Sequence, residues 1–378
     1  MMKIFLFDMD GVLLEPRGYH EALIETVALV GRALGFREFA ITKADIEVFE
    51  ASGVTSEWDS TAICTALLMR DAWAISPGNR LPSAPPLPQL AMHDLPSPDF
   101  QGFFGSRRMA PVYGSRPTQL AEESLLSDGT AYTEAQVSAL QSLLRGARSP
   151  LGSLTHLLFQ ELVLGSQLFQ DTYGVETHLN TEGTLLTRDR PTLPPQTRNR
   201  LLAWLEVPDH HAAVFTNRPS RAPQGSTGAP EAELGLELTK LEMLPLVGRG
   251  GLAWLEEQRG LAPGALLKPS ATHALVALRQ AIGDSPGVAL QAAAALALDQ
   301  EDDPGWANLE GAEITVFEDS AEGLASVAAA RACLVHIGVS MQAILLGVTQ
   351  SLPKRQALEA AQAEVFPGLA EALAAALA

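Results

Sequence analysis

The chain has little cysteine, and its two cysteines, Cys64 and Cys333, lie far apart in the sequence. Neither belongs to a Cys-x-x-Cys pair, which argues against a zinc cluster or a disulfide framework. Basic residues are also scarce, since 26 lysines and arginines stand against 44 aspartates and glutamates, for a formal net charge of -18. This charge disfavours non-specific binding to nucleic acid or anionic membranes, although local cations or a metal still permit an anionic substrate.

Long apolar segments are missing as well. At the N-terminus an apolar run of about four residues precedes Asp8, which is too short for a signal peptide or a membrane span. Elsewhere charges interrupt the apolar stretches, so we expect a soluble cytoplasmic protein without a membrane partner. The chain has 378 residues, of which 47% are apolar. That is enough for about two domains with a large buried core.

The most informative residues are at the start of the chain. The apolar residues of 3–7 are typical of a short, fully buried strand, and they are followed by Asp8, Asp10 and Gly11. Open α/β sheets place their ligands at the carboxyl ends of strands. Two acids at such a place are unfavourable unless they bind a cation or take part in chemistry. The alternative is a turn at the strand end with solvated acids.

Three further polar groups follow apolar segments in the second half of the chain: Thr216 with Asn217 and Arg218, Lys268 before Pro269, and Glu318 with Asp319. Strands are predicted at 211–216 and 314–317, and the alternation of strands and helices from about residue 190 predicts a parallel sheet covered by helices. Taken singly, Thr216 also suits a turn or a helix N-cap, Lys268 a surface position, and the two acids a helix start.

Together and in this order, these four groups resemble the motifs of the haloacid dehalogenase (HAD) superfamily, within the branch of phosphoglycolate-type phosphatases and beta-phosphoglucomutase. The resemblance covers the N-terminal strand and roughly residues 190–340. It implies an α/β fold, a Rossmann-like parallel sheet core with a mainly α-helical cap domain inserted after the first strand. We assign the core to 1–16 and 188–345, the cap to 17–187 with a Pro-rich excursion at 76–120, and a C-terminal helical tail packed on the core to 346–378. Within the core, a strand is also expected at 332–337.

The resemblance implies phosphoryl transfer, which needs a nucleophile, a proton donor and cations around the phosphorus. Asp8 would be the nucleophile that forms an aspartyl-phosphate, and Asp10 would act as general acid and then as general base. Thr216 would hydrogen-bond a phosphoryl oxygen, and Lys268 would neutralise the phosphate. The implied ligands of a Mg²⁺ cofactor are Asp8, the backbone carbonyl of Asp10, Glu318 and Asp319.

Three residues are candidates for substrate binding: Asn217, His20 and Thr55. An Asn-like residue often follows the hydroxyl motif in this family, and a structural role for Asn217 is the alternative. His20 stands at the spacing of a hinge-region histidine in beta-phosphoglucomutase, although a first-turn helix histidine without a role fits equally. Thr55 lies in a segment similar to the substrate-specificity segment of the mutase, but Ser56 stands where the mutase has an arginine. A plain helix start explains this segment too.

We therefore expect Mg²⁺-dependent hydrolysis of a small phosphorylated metabolite, with no nucleic acid partner. A sugar-phosphate mutase is the alternative enzyme, and Ser56 weakens it. The alternative from another class is an inactive HAD fold that binds a ligand or a partner. Asp10 argues against a dehalogenase, because those enzymes lack the second aspartate and need no Mg²⁺. It also argues against an inactive protein, because a pure binder does not need an acid there.

Overall fold

The computed structural model describes residues 1–37, 39–88, 92–105, 116–149, 152–223 and 228–377. The chain divides into two compact units. The core unit consists of Met1–Pro16 and Asp189–Ala378, and the inserted unit consists of Arg17–Arg188. The core unit is therefore built from two separate parts of the chain, and the inserted unit is continuous.

A parallel sheet organises the core unit. Its strands β5, β4, β1, β6, β7 and β8 are adjacent in that order, while β2 and β3 form a separate antiparallel pair. The residues Ile4 to Phe7 of β1 are at most 2% exposed, as expected for a central parallel strand. The α/β fold with a Rossmann-like parallel sheet, predicted from the sequence, is confirmed. In chain order the strands are β1 (Lys3–Phe7), β2 (Leu14–Glu15), β3 (Arg190–Pro191), β4 (His210–Phe215), β5 (Leu246–Val247), β6 (Ala312–Glu318), β7 (Met341–Val348) and β8 (Glu364–Phe366).

The inserted unit is helical. Its described residues form nine helices and no strand. Two of these helices begin at capping boxes, Thr42 with Asp45 and Thr133 with Gln136, which the sequence encodes locally. The helices are α1 (Arg17–Ala33), α2 (Lys43–Ala51), α3 (Glu57–Ile75), α4 (Phe100–Gly105), α5 (Pro117–Leu126), α6 (Glu134–Arg145), α7 (Leu154–Leu164), α8 (Ser166–Tyr173) and α9 (Thr184–Arg188).

Apolar layers cover both faces of the sheet in the core unit. On one face Phe7 stacks on Phe317 and Phe5 stacks on Trp204, with ring centroids 4.6 and 3.8 Å apart. On the other face Ile4 and the rest of its layer pack against the helices that follow β5 and β6. Among the described helices of either unit, none combines the length and the apolar character that a membrane span requires. The helices of the core unit are α10 (Pro195–Leu205), α11 (Glu231–Thr239), α12 (Arg249–Arg259), α13 (Ala271–Ala281), α14 (Pro286–Ala294), α15 (Ala321–His336), α16 (Leu352–Ala360) and α17 (Leu369–Ala376).

One prediction for the C-terminal part is wrong, and a second leaves out two strands. Residues 332–337, predicted as a strand, belong mainly to α15, because Leu324, Val327, Ala330 and Leu334 recur at helical spacing and are buried on one face. The helix ends before Gly338, whose φ of 82° favours glycine. The predicted helical tail 346–378 contains the end of β7 and all of β8 as well as two helices. The alanine-rich composition of this segment favours helix, so β8, which has only three residues, could not be recognised from the sequence.

The Pro-rich excursion at 76–120 is only partly irregular. The described residues include α4, whose Phe104 stacks on Phe49 with ring centroids 4.0 Å apart. Phe100, Phe103 and Phe104 are buried, so this part of the segment packs within the inserted unit. Residues 89–91 and 106–115, including Tyr113, lie outside the described residues.

Candidate functional site

The polar residues singled out in the sequence lie at the carboxyl ends of adjacent strands. Asp8 follows β1, Thr216 follows β4, and Glu318 ends β6 before Asp319. Because β1 pairs with β4 on one side and with β6 on the other, Asp8 stands between the other two strand ends. The backbone N–H of Asp8 donates to the carbonyl of Phe317 at 2.9 Å, which extends the pairing to the residue that carries the carboxylate.

Lys268 joins two of these carboxylates. Its Nζ donates to Asp8 Oδ1 at 2.7 Å and to Glu318 Oε2 at 2.8 Å. The side chain is buried, and Nζ lies 3.9 Å from the centre of the Phe215 ring. Burial opposes the charge on Lys268, but the two carboxylates outweigh it and raise the pKa of the ammonium group. Lys268 is therefore a fixed positive charge beside Asp8.

Asp8, Glu318 and Asp319 form an acidic cluster. One carboxylate oxygen from each lies within 4.8 Å of the others. Burial raises the pKa of Glu318 to about 8, with a further contribution from Asp8 and opposition from Lys268. Burial likewise raises the pKa of Asp319 to about 6, against the effect of Lys354. The donors of this cluster are all oxygens, and their mutual repulsion calls for a positive charge. Such a set fits a hard divalent cation such as Mg²⁺.

Within this cluster the three acids have different partners. Glu318 accepts hydrogen bonds from Lys268 and, at 2.8 Å, from Ser320 Oγ, so both of its oxygens are engaged by protein groups. Asp319 accepts a hydrogen bond of 2.6 Å from Nζ of Lys354, an exposed lysine. Asp8 and Asp319 consequently keep more freedom to bind a cation directly than Glu318 does.

Asp10 lies outside that cluster. Both of its oxygens accept from Arg218 Nε at 2.9 Å, and Oδ1 also accepts from Arg218 Nη2 at 2.5 Å. The same Nη2 lies 2.8 Å from Asp189 Oδ2. Arg218 follows Thr216 closely and was noted in the sequence. Asp189 and Lys354 carry no sequence signal, because neither follows a predicted strand and the partner of each is distant in the chain.

Thr216 and Asn217 shape the turn after β4. Thr216 is buried, and its Oγ1 accepts the backbone N–H of Arg218 at 3.1 Å, which matches the alternative of a turn hydroxyl. Asn217 is exposed, and its Oδ1 accepts the backbone N–H of Lys268 at 3.2 Å. The structure thus assigns both residues contacts that hold Arg218 and Lys268, and their contacts with a substrate stay predictions.

His20 and Thr55 belong to the inserted unit. His20 Nε2 lies 3.5 Å from Glu50 Oε1 and 3.8 Å from Glu57 Oε1. Burial opposes protonation of this imidazole, but Glu50 and Glu57 raise its pKa overall. Thr55 is exposed just before α3. A role of either residue in substrate binding stays a prediction.

Gly11 is required by the acidic cluster. Its φ is 76°, and a Cβ at this position would lie 2.4 Å from Asp319 Oδ2. Any side chain here would displace the Asp319 carboxylate and adopt an unfavourable backbone conformation. The glycine in the Asp-x-Asp-Gly pattern therefore makes room for an acid from the opposite end of the chain.

No protein-family model matches this sequence, and a comparison with curated proteins gives no match. Among solved structures, the X-ray structure of Northeast Structural Genomics Consortium target ZR25 is similar, with a TM-score of 0.58 and 17% identity over 100% of this chain and 98% of that chain. Phosphatase Tt82 from Thermococcus thioreducens has a TM-score of 0.40 and 13% identity over 94% of this chain and 99% of that chain. Only the first likeness is close enough to bear on structure, and it supports the fold alone.

Proposed function

We propose that this protein is a Mg²⁺-dependent phosphatase that hydrolyses a small phosphorylated metabolite through an aspartyl-phosphate on Asp8. The observation that carries the proposal is the contact of 2.7 Å between Lys268 Nζ and Asp8 Oδ1 at the carboxyl end of the central strand. A buried ammonium group beside a buried carboxylate balances the charge of that carboxylate and offers positive charge to an incoming phosphate.

In the first step a carboxylate oxygen of Asp8 attacks phosphorus, and the bond between phosphorus and the ester oxygen breaks. The leaving oxygen takes a proton from Asp10 and departs as an alcohol. In the second step Asp10 removes a proton from water, whose oxygen attacks the same phosphorus. The bond between phosphorus and the Asp8 oxygen breaks, inorganic phosphate leaves, and Asp8 returns to its carboxylate form. Lys268 neutralises the phosphoryl oxygens in both steps.

The acidic cluster would hold the cation. Asp8 and Asp319 are the proposed direct carboxylate ligands, together with the backbone carbonyl of Asp10. Both oxygens of Glu318 are engaged by Lys268 and Ser320, so Glu318 would border the site without being a proposed direct ligand. The chemistry that bound Mg²⁺ supplies is neutralisation of negative charge on the phosphoryl group. Without it, the negative charge of Asp8 and Asp319 would repel a phosphate despite Lys268.

The test is turnover of p-nitrophenyl phosphate with Mg²⁺, with EDTA, and by the variant Asp8→Asn. We expect turnover by the wild type with Mg²⁺, and none after EDTA treatment or in D8N. Asp302→Asn, at an exposed acid of the core unit, is the matched control and should retain wild-type turnover. Equal turnover by D8N and the wild type would contradict the nucleophile assignment.

A panel of phosphorylated metabolites would then identify the substrate class. Release of inorganic phosphate from one metabolite supports the proposal. Isomerisation of a sugar phosphate that depends on a bisphosphate would instead favour the mutase. Binding of phosphorylated ligands without any turnover would favour the inactive, ligand-binding protein.

A further inference from the structure

We propose that Arg218, anchored by Asp189, is the positioning residue that fixes the Asp10 carboxylate in place for proton transfer; this inference rests on the proposed phosphatase function. The side chains of Arg218 and Asp189 are 2% and 0% exposed, whereas that of Asp10 is 34% exposed. Asp10 is thus the member of the trio that an incoming ester can reach. The two buried members form its support.

The contact geometry fixes the carboxylate of Asp10 in orientation as well as in place. Arg218 directs Nε and Nη2 at Asp10, and a guanidinium fork of this kind sets the plane of the carboxylate that it binds. A lysine could supply the charge but not the fork. Nη2 also donates to Asp189 Oδ2 at 2.8 Å, so Asp189 anchors the guanidinium at the nitrogen that binds Asp10.

The backbone around each member of the trio is also held in place. The N–H of Arg218 is bound by Thr216 Oγ1, and its carbonyl accepts the N–H of Arg249 at 2.9 Å. Asp189 directly precedes β3, which pairs with β2 a few residues after Asp10. The orientation of Asp10 is therefore set by three chain segments and does not depend on a bound substrate.

Stability alone is a weak reason for this arrangement. Burying a guanidinium and a carboxylate removes both from water, and well-packed apolar residues often serve a core as well or better. Orientation of an acid has a clear chemical use, because a small misplacement of a proton donor greatly lowers the rate of transfer. The assignment also gives Thr216 a role. Its hydroxyl accepts the backbone N–H of Arg218, and Arg218 in turn binds Asp10.

The proposal predicts a dependence on the leaving group. A nitrophenolate departs without a proton, whereas an alkoxide needs one in the transition state. The value of kcat/KM reports steps up to departure of the leaving group, so the ratio of kcat/KM for an alkyl phosphate to that for p-nitrophenyl phosphate measures acid assistance. This ratio does not change with the fraction of active protein, so a merely structural role of Arg218 would not alter it.

The variants are Arg218→Lys and Asp189→Asn, measured with glycerol phosphate and p-nitrophenyl phosphate at saturating Mg²⁺. We expect R218K to lower the ratio by about tenfold or more, and D189N to lower it less. Arg259→Lys is the matched control, because Arg259 pairs with Asp299 on the surface of the same unit, and its ratio should equal that of the wild type. Circular dichroism checks folding, and D189N carries the test if R218K does not fold.

A double-mutant cycle establishes whether Arg218 acts through Asp10. In the background of Asp10→Asn, R218K should change the ratio no further, because the acid is already lost. A wild-type ratio in R218K, or an equal effect in both backgrounds, would overturn the assignment while leaving the phosphatase function intact. If the wild type hydrolyses neither ester, the proposed function and this inference fall together.

Discussion

His273 should make the core unit sensitive to mild acid. It lies on α13, fully buried, with Nε2 3.3 Å from the carbonyl oxygen of Val247 and its ring packed edge-on against Phe215. Burial lowers the pKa of this imidazole to about 3, and the charge of Lys268 adds to the effect. Folded His273 is therefore neutral at pH values where an unfolded histidine takes up a proton.

The sign and size of the effect follow from this difference. Well above pH 6.5 both states are neutral, and His273 causes no pH dependence. As the pH falls from 6.5 towards 3, the unfolded state binds the extra proton, so folding loses about 1.4 kcal/mol per pH unit. Between pH 6.5 and pH 5 the loss attributable to this one residue is about 2 kcal/mol.

The assay is urea unfolding at pH 7.5 and pH 5, followed by circular dichroism, for the wild type and His273→Gln. Glutamine keeps an N–H donor for Val247 but does not titrate, so the acid-induced loss of unfolding free energy should shrink by about 2 kcal/mol. His336→Gln, at an exposed histidine at the end of α15, should behave like the wild type. Identical losses in H273Q and the wild type would refute the reasoning.

Three further predictions concern the acidic cluster. Gly11→Ala should weaken Mg²⁺ binding in calorimetry, because the added Cβ would displace the Asp319 carboxylate, and unchanged binding would contradict this. It should also lower the unfolding free energy by about 1 kcal/mol or more, because alanine is unfavourable at the positive φ of residue 11. Lys354→Met should tighten Mg²⁺ binding by about two- to fivefold, since the partly exposed ammonium competes for Asp319, whereas weaker binding would mean that Lys354 supports the site. Lys268→Met should abolish phosphatase turnover and lower the unfolding free energy in EDTA by about 3–5 kcal/mol, because it leaves Asp8 buried without its cation; a stability equal to the wild type in urea unfolding would exclude this.

The residues at strand ends could be predicted from the sequence because their positions depend on local patterns. An apolar run that stops at an acid identifies both the strand and the place where it ends, as for Asp8 and Asp319. Lys268 could be included because it precedes a recognisable helix start. The residues at strand ends then meet at one edge of the sheet, because the carboxyl ends of parallel strands lie together.

The partners Asp189 and Lys354 could not be predicted in this way. Asp189 meets Arg218 across 29 residues of sequence, and Lys354 meets Asp319 across 35. Neither follows a predicted strand, so no local pattern distinguishes them from solvated surface charges. The error at 332–337 has a related cause, because an apolar run is compatible with a strand or a buried helix until its length and its packing partners are known.

The sheet order has a consequence for synthesis of the protein. Lys3 of β1 pairs with His210 of β4 and with Glu313 of β6. At translation rates of 5–20 residues per second, about 15 to 60 s separate the appearance of β1 from that of β6. The helices of the inserted unit are synthesised before β4 and β6 and make mostly local contacts. We therefore expect them to fold before β1 can pair with either neighbouring strand. Through that interval the nascent strand is protected by its shortness and by the two acids that follow it, which oppose pairing with other chains.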